Sequence, residues 1–121
     1  MRSPGCEPVF IISVAARLLE MHPQTLRKYE REGLIAPSRT SGNLRLYSDE
    51  DLDRLRQVKH LVGERGLNLA GVQLALELTQ GLRALQSDLD RESAGDEEAL
   101  KASRRDIGAL MRLLGADDAG R

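Results

Sequence analysis

The sequence is poor in aromatic residues and in cysteine, and both shortages restrict what the chain can do. Only one Phe and two Tyr occur among 121 residues, and there is no Trp. We therefore expect an aliphatic core and no aromatic-lined pocket for a small ligand, because such pockets usually have aromatic walls. The single cysteine, Cys6, permits no internal disulfide. We interpret it as a free thiol in a reducing, cytoplasmic compartment.

Several kinds of site and segment are also missing from the sequence. The two histidines, His22 and His60, lie far from Cys6, so no metal-ligand spacing occurs and we expect neither a metal nor another cofactor. No apolar run approaches the ~18 residues of a membrane span, and no signal peptide is visible, so we expect no membrane partner. Neither a Ser/His/Asp set nor a phosphate-cradling glycine loop is present, and an enzyme is therefore not expected.

The net charge of −1 hides an uneven distribution of charge along the chain. Residues 1–65 carry 11 Lys/Arg against 9 Asp/Glu, whereas residues 66–121 carry 7 against 10. Six cations fall within residues 17–47: Arg17, Arg27, Lys28, Arg31, Arg39 and Arg45. A local cationic face is what phosphate binding needs, so the first half of the chain can bind nucleic acid despite the total charge.

A helix-turn-helix is predicted near the N-terminus. Ser13 can cap a first helix, which should stop near Met21 because Pro23 disfavours helical geometry at the residue before it. Pro23 suits the first turn of a second helix, and Gly33 fits the left-handed position after the end of that helix. Two short helices joined by a tight turn form this motif. The second helix leaves a polar, cationic face exposed: Gln24, Thr25, Arg27, Lys28 and Arg31.

A short hairpin is predicted to follow the second helix. Gly42 and Asn43 mark a turn, and residues 44–47 are typical of a brief strand. We interpret this segment as a two-stranded wing that carries Arg39 and Arg45.

The pattern after the wing predicts two helices and then a leucine seam. Ser48 and Asp51 resemble a capping box at the start of a third helix, and Asn68 can cap a fourth. Four leucines are then spaced by 4, 3 and 4 residues, as in a coiled-coil heptad: Leu78, Leu82, Leu85 and Leu89. The seam either joins two copies of the chain or packs onto the fourth helix of the same chain. We favour the dimer, because reading a two-fold DNA site needs two recognition helices.

The order of helix-turn-helix, wing, helix pair and heptad seam resembles the MerR family of transcription regulators. The resemblance is carried by ISVAARLLEMHPQTLRKYEREGLIAPSR and RLYSDEDLDRLRQVKHL, and it covers residues 11 to about 78. Within the family, HPQTLR, SRTSG and NLAG resemble the heat-shock repressors of the HspR type. The expected fold is mainly α, with a winged helix-turn-helix DNA-binding domain at residues 11–77. A flexible tail at 1–10, a dimerisation helix at 78–92 and a charged, partly helical segment at 93–121 complete the expected organisation.

The resemblance implies a homodimeric repressor of heat-shock (chaperone) genes. Such a repressor would bind an inverted-repeat operator in double-stranded DNA, with the chaperone DnaK as corepressor. The chain differs from metal-sensing family members, because no cysteine lies in its C-terminal half, and from drug-sensing members, because it has almost no aromatic residues. Both differences favour control by a protein partner or by heat. We expect DnaK to contact residues 93–121.

The predicted DNA contacts centre on the second helix. Arg27 is expected to contact base edges, with guanine as the expected base, and Gln24 and Thr25 lie at the end of the helix that meets bases. Lys28 would bind phosphate, as would the hydroxyl of Tyr29 with its ring partly packed. The remaining predicted contacts are His22 at the turn, Arg39, Thr40, Asn43 and Arg45 in the wing, Arg17 on the first helix and Lys59 on the third.

Alternative interpretations remain open at this point. Tyr29 can equally be a core residue, and the cations of the wing and Lys59 can be ordinary solvated charges. At the level of function, the chain can regulate another stress or metabolic operon, or it can be a protein-interaction adaptor. Salt dependence of DNA binding separates the adaptor from the regulator.

Overall fold

The structure, a computed structural model, describes residues 7–91 and 96–116. The described residues divide into two compact units, one that ends at Lys59 and one that begins at His60. The first unit contains β1 (Pro8–Ile11), α1 (Ile12–Leu19), α2 (Pro23–Arg31), β2 (Ser38–Arg39), β3 (Arg45–Ser48) and α3 (Asp49–Lys59). The second contains a π-helical turn (His60–Glu64), α4 (Leu69–Arg91) and α5 (Glu97–Leu113). The expected fold class, a mainly helical chain with a winged helix-turn-helix followed by long helices, is confirmed.

The turn between α1 and α2 is built by local backbone chemistry. The helix α1 ends where Glu20 adopts the left-handed conformation, with φ of 54°. The helix α2 starts with Pro23 in its first turn, as predicted. After α2, Gly33 has φ of 80°, and the N–H of Leu34 donates to the carbonyl of Tyr29 at 3.0 Å. This is a Schellman ending, so the predicted role of Gly33 is confirmed.

Two expectations about the N-terminal residues are wrong. Ser13 does not cap α1, because the helix starts one residue earlier, with Ile11 at the N-cap position and no side-chain cap. Residues 8–10 are not a flexible tail, because Pro8–Ile11 forms β1 and pairs antiparallel with β3. The strand order β1-β3-β2 makes a three-stranded sheet, one strand more than the predicted hairpin. Exposure alternates along the edge strand β1, since Pro8 and Phe10 are half-buried while Val9 and Ile11 face solvent.

The core of the first unit is largely aliphatic, as expected, but it also contains both tyrosines. Tyr29 retains 7% of its surface exposed, and Tyr47 is fully buried. The aliphatic part comes from all three helices and the loop after α2: Ala15, Ala16, Leu19, Leu26, Leu34, Ile35, Leu52, Leu55 and Val58. The predicted capping box of α3 is confirmed, because the N–H of Asp51 donates to Ser48 Oγ at 3.0 Å and the N–H of Ser48 donates to Asp51 Oδ2 at 2.9 Å.

The second unit is a pair of helices. Asn68 caps α4 as predicted, since its Oδ1 accepts from the N–H of Gly71 at 2.9 Å. Residues 69–91 form one continuous helix, so the predicted dimerisation helix at 78–92 corresponds to the second half of α4. The predicted, partly helical C-terminal segment contains the 17-residue α5. Predictions for residues 1–6, which include Cys6, for residues 92–95 and for the last five residues lie outside the described residues.

The four leucines of the predicted seam do not share one environment. Leu82 and Leu89 are partly buried and pack against a cluster of Ile107, Met111 and Ala116 in the same chain. The other two, Leu78 and Leu85, are 53% and 47% exposed. The prediction of a single dimer seam is therefore corrected. The helix α5 covers one edge of the leucine stripe, whereas Leu78 and Leu85 on the other edge are exposed among the described residues.

The end of α5 is fastened to the π-helical turn of the same unit. Gly115 has φ of 75°, and the N–H of Ala116 donates to the carbonyl of Met111 at 2.9 Å, which closes the helix. His60 Nε2 lies 3.1 Å from the carbonyl oxygen of Leu113, and its Nδ1 lies 3.0 Å from Glu64 Oε2. Both neighbours are hydrogen-bond acceptors, so a neutral imidazole can donate to one of them at a time.

Candidate nucleic-acid interface

The helix α2 separates an apolar face from a polar, cationic one. Leu26 is fully buried and Tyr29 is almost fully buried, so the opposite side of the helix faces solvent. The predicted contact residues of α2 lie on that outer side: Gln24, Lys28 and Arg31 are exposed, and Thr25 and Arg27 are half-buried. The structure thus brings the base-contact and phosphate-contact candidates of α2 together on one surface.

His22 has a defined structural role at the start of α2. Its Nδ1 accepts a hydrogen bond from the N–H of Gln24 at 3.0 Å, so it is the N-cap of the helix. A ring nitrogen that accepts carries no proton, and in the neutral imidazole Nε2 is then the donor. The predicted phosphate contact of His22 is consequently restricted to Nε2, which the cap leaves available.

Tyr29 is mainly a core residue. Burial raises the pKa of its phenol, and the nearby Glu32 carboxylate raises it further. The hydroxyl is therefore a neutral donor. The core role that the sequence left open is observed, and a phosphate contact through the hydroxyl stays a prediction.

Glu30 joins the wing to α2, a contact that neither spacing nor composition predicts. Its Oε2 accepts from Arg39 Nη2 at 2.7 Å, and its Oε1 accepts from Arg45 Nε at 2.5 Å. Burial raises the pKa of Glu30, but the hydrogen bonds and charges of Arg45 and Arg39 outweigh it, and the net pKa lies below its usual value. The carboxylate is therefore ionised at neutral pH. The only hint in the sequence is an acid placed within the cationic helix.

The turn of the wing uses two of the predicted DNA donors. Thr40 Oγ1 accepts from the N–H of Leu44 at 3.1 Å, and the N–H of Thr40 donates to the carbonyl of Leu44 at 2.9 Å. Asn43 adopts a left-handed conformation with φ of 66°, and its backbone carbonyl accepts from Arg39 Nη1 at 3.3 Å. Both residues shape the turn, and their contacts with DNA stay predictions.

Two further cations are used inside the first unit. Lys59 Nζ donates to the carbonyl of Leu19 at the end of α1, at 3.0 Å. The helix dipole favours a cation at this end of a helix. Lys59 therefore has a structural role that the sequence did not predict, and its contact with DNA stays a prediction. Arg54 Nε donates to the carbonyl of Leu34 at 2.6 Å and holds the loop that follows α2.

The unpaired cations of the first unit lie on the helix-turn-helix. Within the described part of the chain, no hydrogen bond or ion pair involves the side chains of Arg17, Arg27, Lys28 or Arg31. Arg17 is exposed in the last turn of α1, where a phosphate contact was predicted. These four side chains keep their full donor capacity, whereas the wing arginines share one carboxylate.

Beneath this surface lies Tyr47, whose hydroxyl is buried and has no hydrogen-bond partner among the described residues. Burial raises the pKa of the Tyr47 phenol, and the Glu30 charge also raises it, while Arg45 and Arg27 oppose the shift.

Two negative findings concern other kinds of site. In the residues that the structure describes, no group of three or more His, Cys, Asp or Glu side chains could hold a metal ion. None of the helices in residues 7–91 and 96–116 has the length and apolar character that a membrane crossing requires.

Comparison with known proteins identifies this architecture. Residues 10–79 match the model of a family described as MerR HTH family regulatory protein. The chain is 45% identical over 98 residues to a Streptomyces coelicolor protein named as a heat shock protein, HspR. The alignment covers 81% of this chain and 65% of that relative. It is 39% identical over 69 residues to the HTH-type transcriptional regulator GlnR of Bacillus cereus, covering 57% of this chain and 53% of GlnR. The HTH-type transcriptional regulator MlrA of Escherichia coli is 36% identical over 69 residues, or 56% of this chain and 28% of MlrA. The chain therefore spans less than two thirds of the length of each of these relatives.

Proposed function

We propose that the chain, which belongs to the MerR family of helix-turn-helix regulatory proteins, represses heat-shock (chaperone) genes as a homodimer on an inverted-repeat operator. The heat-shock assignment rests on the length of the alignment with the HspR relative. The alignment with the HspR relative covers 98 residues, which cannot fit within residues 10–79, so it includes residues outside the family match. The alignments with GlnR and MlrA cover 69 residues each. This difference favours a heat-shock regulator over the regulator of another stress or metabolic operon.

The unpaired cationic surface of α2 supports the DNA-binding part of the proposal. Arg27, Gln24 and Thr25 contact base edges in the major groove, because they lie on the outer face near the start of the helix. Lys28 and Arg17 contact phosphates. Since phosphate contacts provide affinity for any sequence and base contacts provide selectivity, the two kinds of residue should respond differently to substitution.

The free edge of the leucine stripe supports the proposed dimer. Leu74, Leu78 and Leu85 are 58%, 53% and 47% exposed, and their spacing of 4 and 7 residues places them on one face of α4. Three exposed leucines on one helix face form an apolar surface that a second copy can cover. Leu82 and Leu89 contribute by fixing α5 on α4, rather than as members of the interface.

Regulation is proposed to act through DnaK as corepressor. The proposal rests on the resemblance of the sequence to HspR-type repressors, and it is supported by the similarity to a relative whose name marks it as a heat-shock protein. We place the contact on the outer face of α5, where Leu110 and Leu113 are 47% and 55% exposed. A corepressor strengthens repression only if it binds the DNA-bound form more tightly than the free form.

The test is a binding titration of the full chain on a fluorescent chaperone-promoter fragment that contains an inverted repeat. We expect Arg27→Ala to weaken binding by about 1–3 kcal/mol and to relax selectivity at one base position. Lys28→Ala should weaken binding to all sequences similarly and flatten the salt dependence by about one unit. If Arg27→Ala changes neither affinity nor selectivity, α2 is not the recognition helix.

The same titration with purified DnaK tests the corepressor. A coupling of about 1–3 kcal/mol raises operator affinity roughly 5–150-fold. Deleting α5 is a poor control, because Ile107 and Met111 pack against α4. Leu110→Asp with Leu113→Asp instead changes only exposed side chains and should abolish the effect of DnaK. An unchanged operator affinity with DnaK would exclude the corepressor, and a full effect on the double variant would exclude only this contact site.

A further inference from the structure

Glu30 is the point at which the recognition helix and the wing are connected. One carboxylate oxygen accepts from Arg39 and the other from Arg45, at 2.7 and 2.5 Å. The side chain of Glu30 is only 21% exposed, so water competes weakly for these bonds. Three charged groups from α2, β2 and β3 thus form one cluster with a charge of +1, where the two arginines alone would have +2.

The two arginines keep different parts of their guanidinium groups available. A guanidinium has five N–H donors. Arg45 uses its Nε for Glu30, and no other partner of its side chain is found among the described residues. Arg39 uses Nη2 for Glu30, and its Nη1 donates to both the backbone carbonyl and the side-chain Oδ1 of Asn43. Arg45 is consequently held by one edge of its group while the four N–H donors of its η nitrogens remain open.

We infer that Glu30 is a specificity-determining positioning residue, which orients Arg45 and lowers the attraction of the wing for DNA of any sequence. This inference rests on the proposed DNA contact by α2 and the wing. Attraction to DNA without sequence preference comes from phosphate contacts, and a carboxylate beside the arginines reduces it. On the correct site, an arginine that is already oriented loses less side-chain entropy when it binds. Both effects raise the ratio of operator affinity to affinity for other DNA.

The experiment compares Glu30→Gln with Glu32→Gln in the full chain. Both variants remove one negative charge, but the Glu32 side chain has no hydrogen bond or ion pair with an arginine among the described residues. Each protein is titrated at several salt concentrations against the chaperone-promoter fragment and against a scrambled duplex of equal length. For Glu30→Gln we expect affinity for the scrambled duplex to rise, with a salt slope steeper by up to about 0.9, and the affinity ratio to fall by about tenfold. For Glu32→Gln both affinities should change by a similar factor.

A second measurement follows the cluster without DNA. In the NMR spectrum, the Nε–H of Arg45 should be protected from exchange in the unaltered chain and in Glu32→Gln, and should lose this protection in Glu30→Gln. If the protection is lost but the affinity ratio is unchanged, Glu30 has a structural role only and the inference is overturned. If the unaltered chain does not prefer the promoter fragment, the proposed function fails and the specificity role fails with it. In that case the Arg45 signal still reports whether the cluster exists.

Discussion

Replacing Gly115 by alanine should strongly destabilise the second unit, because two independent effects add at this position. The backbone of Gly115 is left-handed, with φ of 75°, which costs a residue with a Cβ about 1–2 kcal/mol. A Cβ built there would lie 2.5, 2.7 and 2.8 Å from Cδ2, Cγ and Cβ of His60. Overpacking of this kind costs about 1–3 kcal/mol. The ring cannot easily give way, since it has partners at Leu113 and Glu64.

The expected loss is therefore about 2–5 kcal/mol in the free energy of unfolding, measured by urea denaturation with circular dichroism. Gly63→Ala is the matched control. It adds the same methyl group in the π-helical turn that contains His60, but its Cβ meets nothing within 4 Å and its φ is not positive. That variant should be neutral or stabilised by up to about 1 kcal/mol, because alanine favours helical backbone.

A double-mutant cycle separates the two effects in Gly115→Ala. In a His60→Ala background the overlap with the ring is gone, so only the backbone term should remain and the loss should fall to about 1–2 kcal/mol. If Gly115→Ala costs the same in both backgrounds, the steric part of the reasoning is refuted. If it costs less than about 0.5 kcal/mol in the unaltered chain, the end of α5 does not lie against His60.

Two further predictions test the core and the leucine stripe. Tyr47→Phe removes a buried hydroxyl that has no partner among the described residues, and it should raise the free energy of unfolding by about 1 kcal/mol. A decrease of that size would instead reveal a hydrogen bond to the hydroxyl. Leu82→Ala should lower the unfolding free energy by about 2 kcal/mol, because Leu82 packs against the cluster on α5. Leu85→Ala should instead weaken dimerisation in sedimentation experiments, and equal behaviour of the two leucine variants would contradict the division of the stripe.

Features set by neighbouring residues could be predicted from the sequence. Pro23 and Gly33 bound α2 because one fits a first helical turn and the other tolerates positive φ, and both act within a few residues. The capping box of Ser48 and Asp51 and the cap by Asn68 follow the same logic. The prediction that Ser13 caps α1 is wrong for a local reason too. The strand β1 runs directly into α1, and Ile11 is still paired with Leu46 where the helix begins.

Features set by distant partners could not be predicted. Pro8–Ile11 becomes a strand only because β3, far along the chain, offers an edge to pair with. Similarly, Glu30 finds Arg45 across 15 residues, and nothing in the spacing of an acid and an arginine identifies that pair. The leucine spacing predicts one stripe on α4 but not how much of its width α5 covers. In each case the missing information is which two segments pack together.

The distribution of paired and unpaired cations assigns different tasks to the two parts of the proposed interface. The cations of α1 and α2 have no carboxylate partner among the described residues, so in the proposed complex they would provide most of the attraction to the phosphate backbone. The wing arginines are partly neutralised by Glu30, which weakens their contribution to that attraction. Their value lies in geometry, because Glu30 belongs to the recognition helix and thereby relates the position of Arg45 to that of Arg27. On the proposed operator, a wing held in this way would reach its phosphates when α2 is in register with the groove, so base contacts by α2 and backbone contacts by the wing would form together.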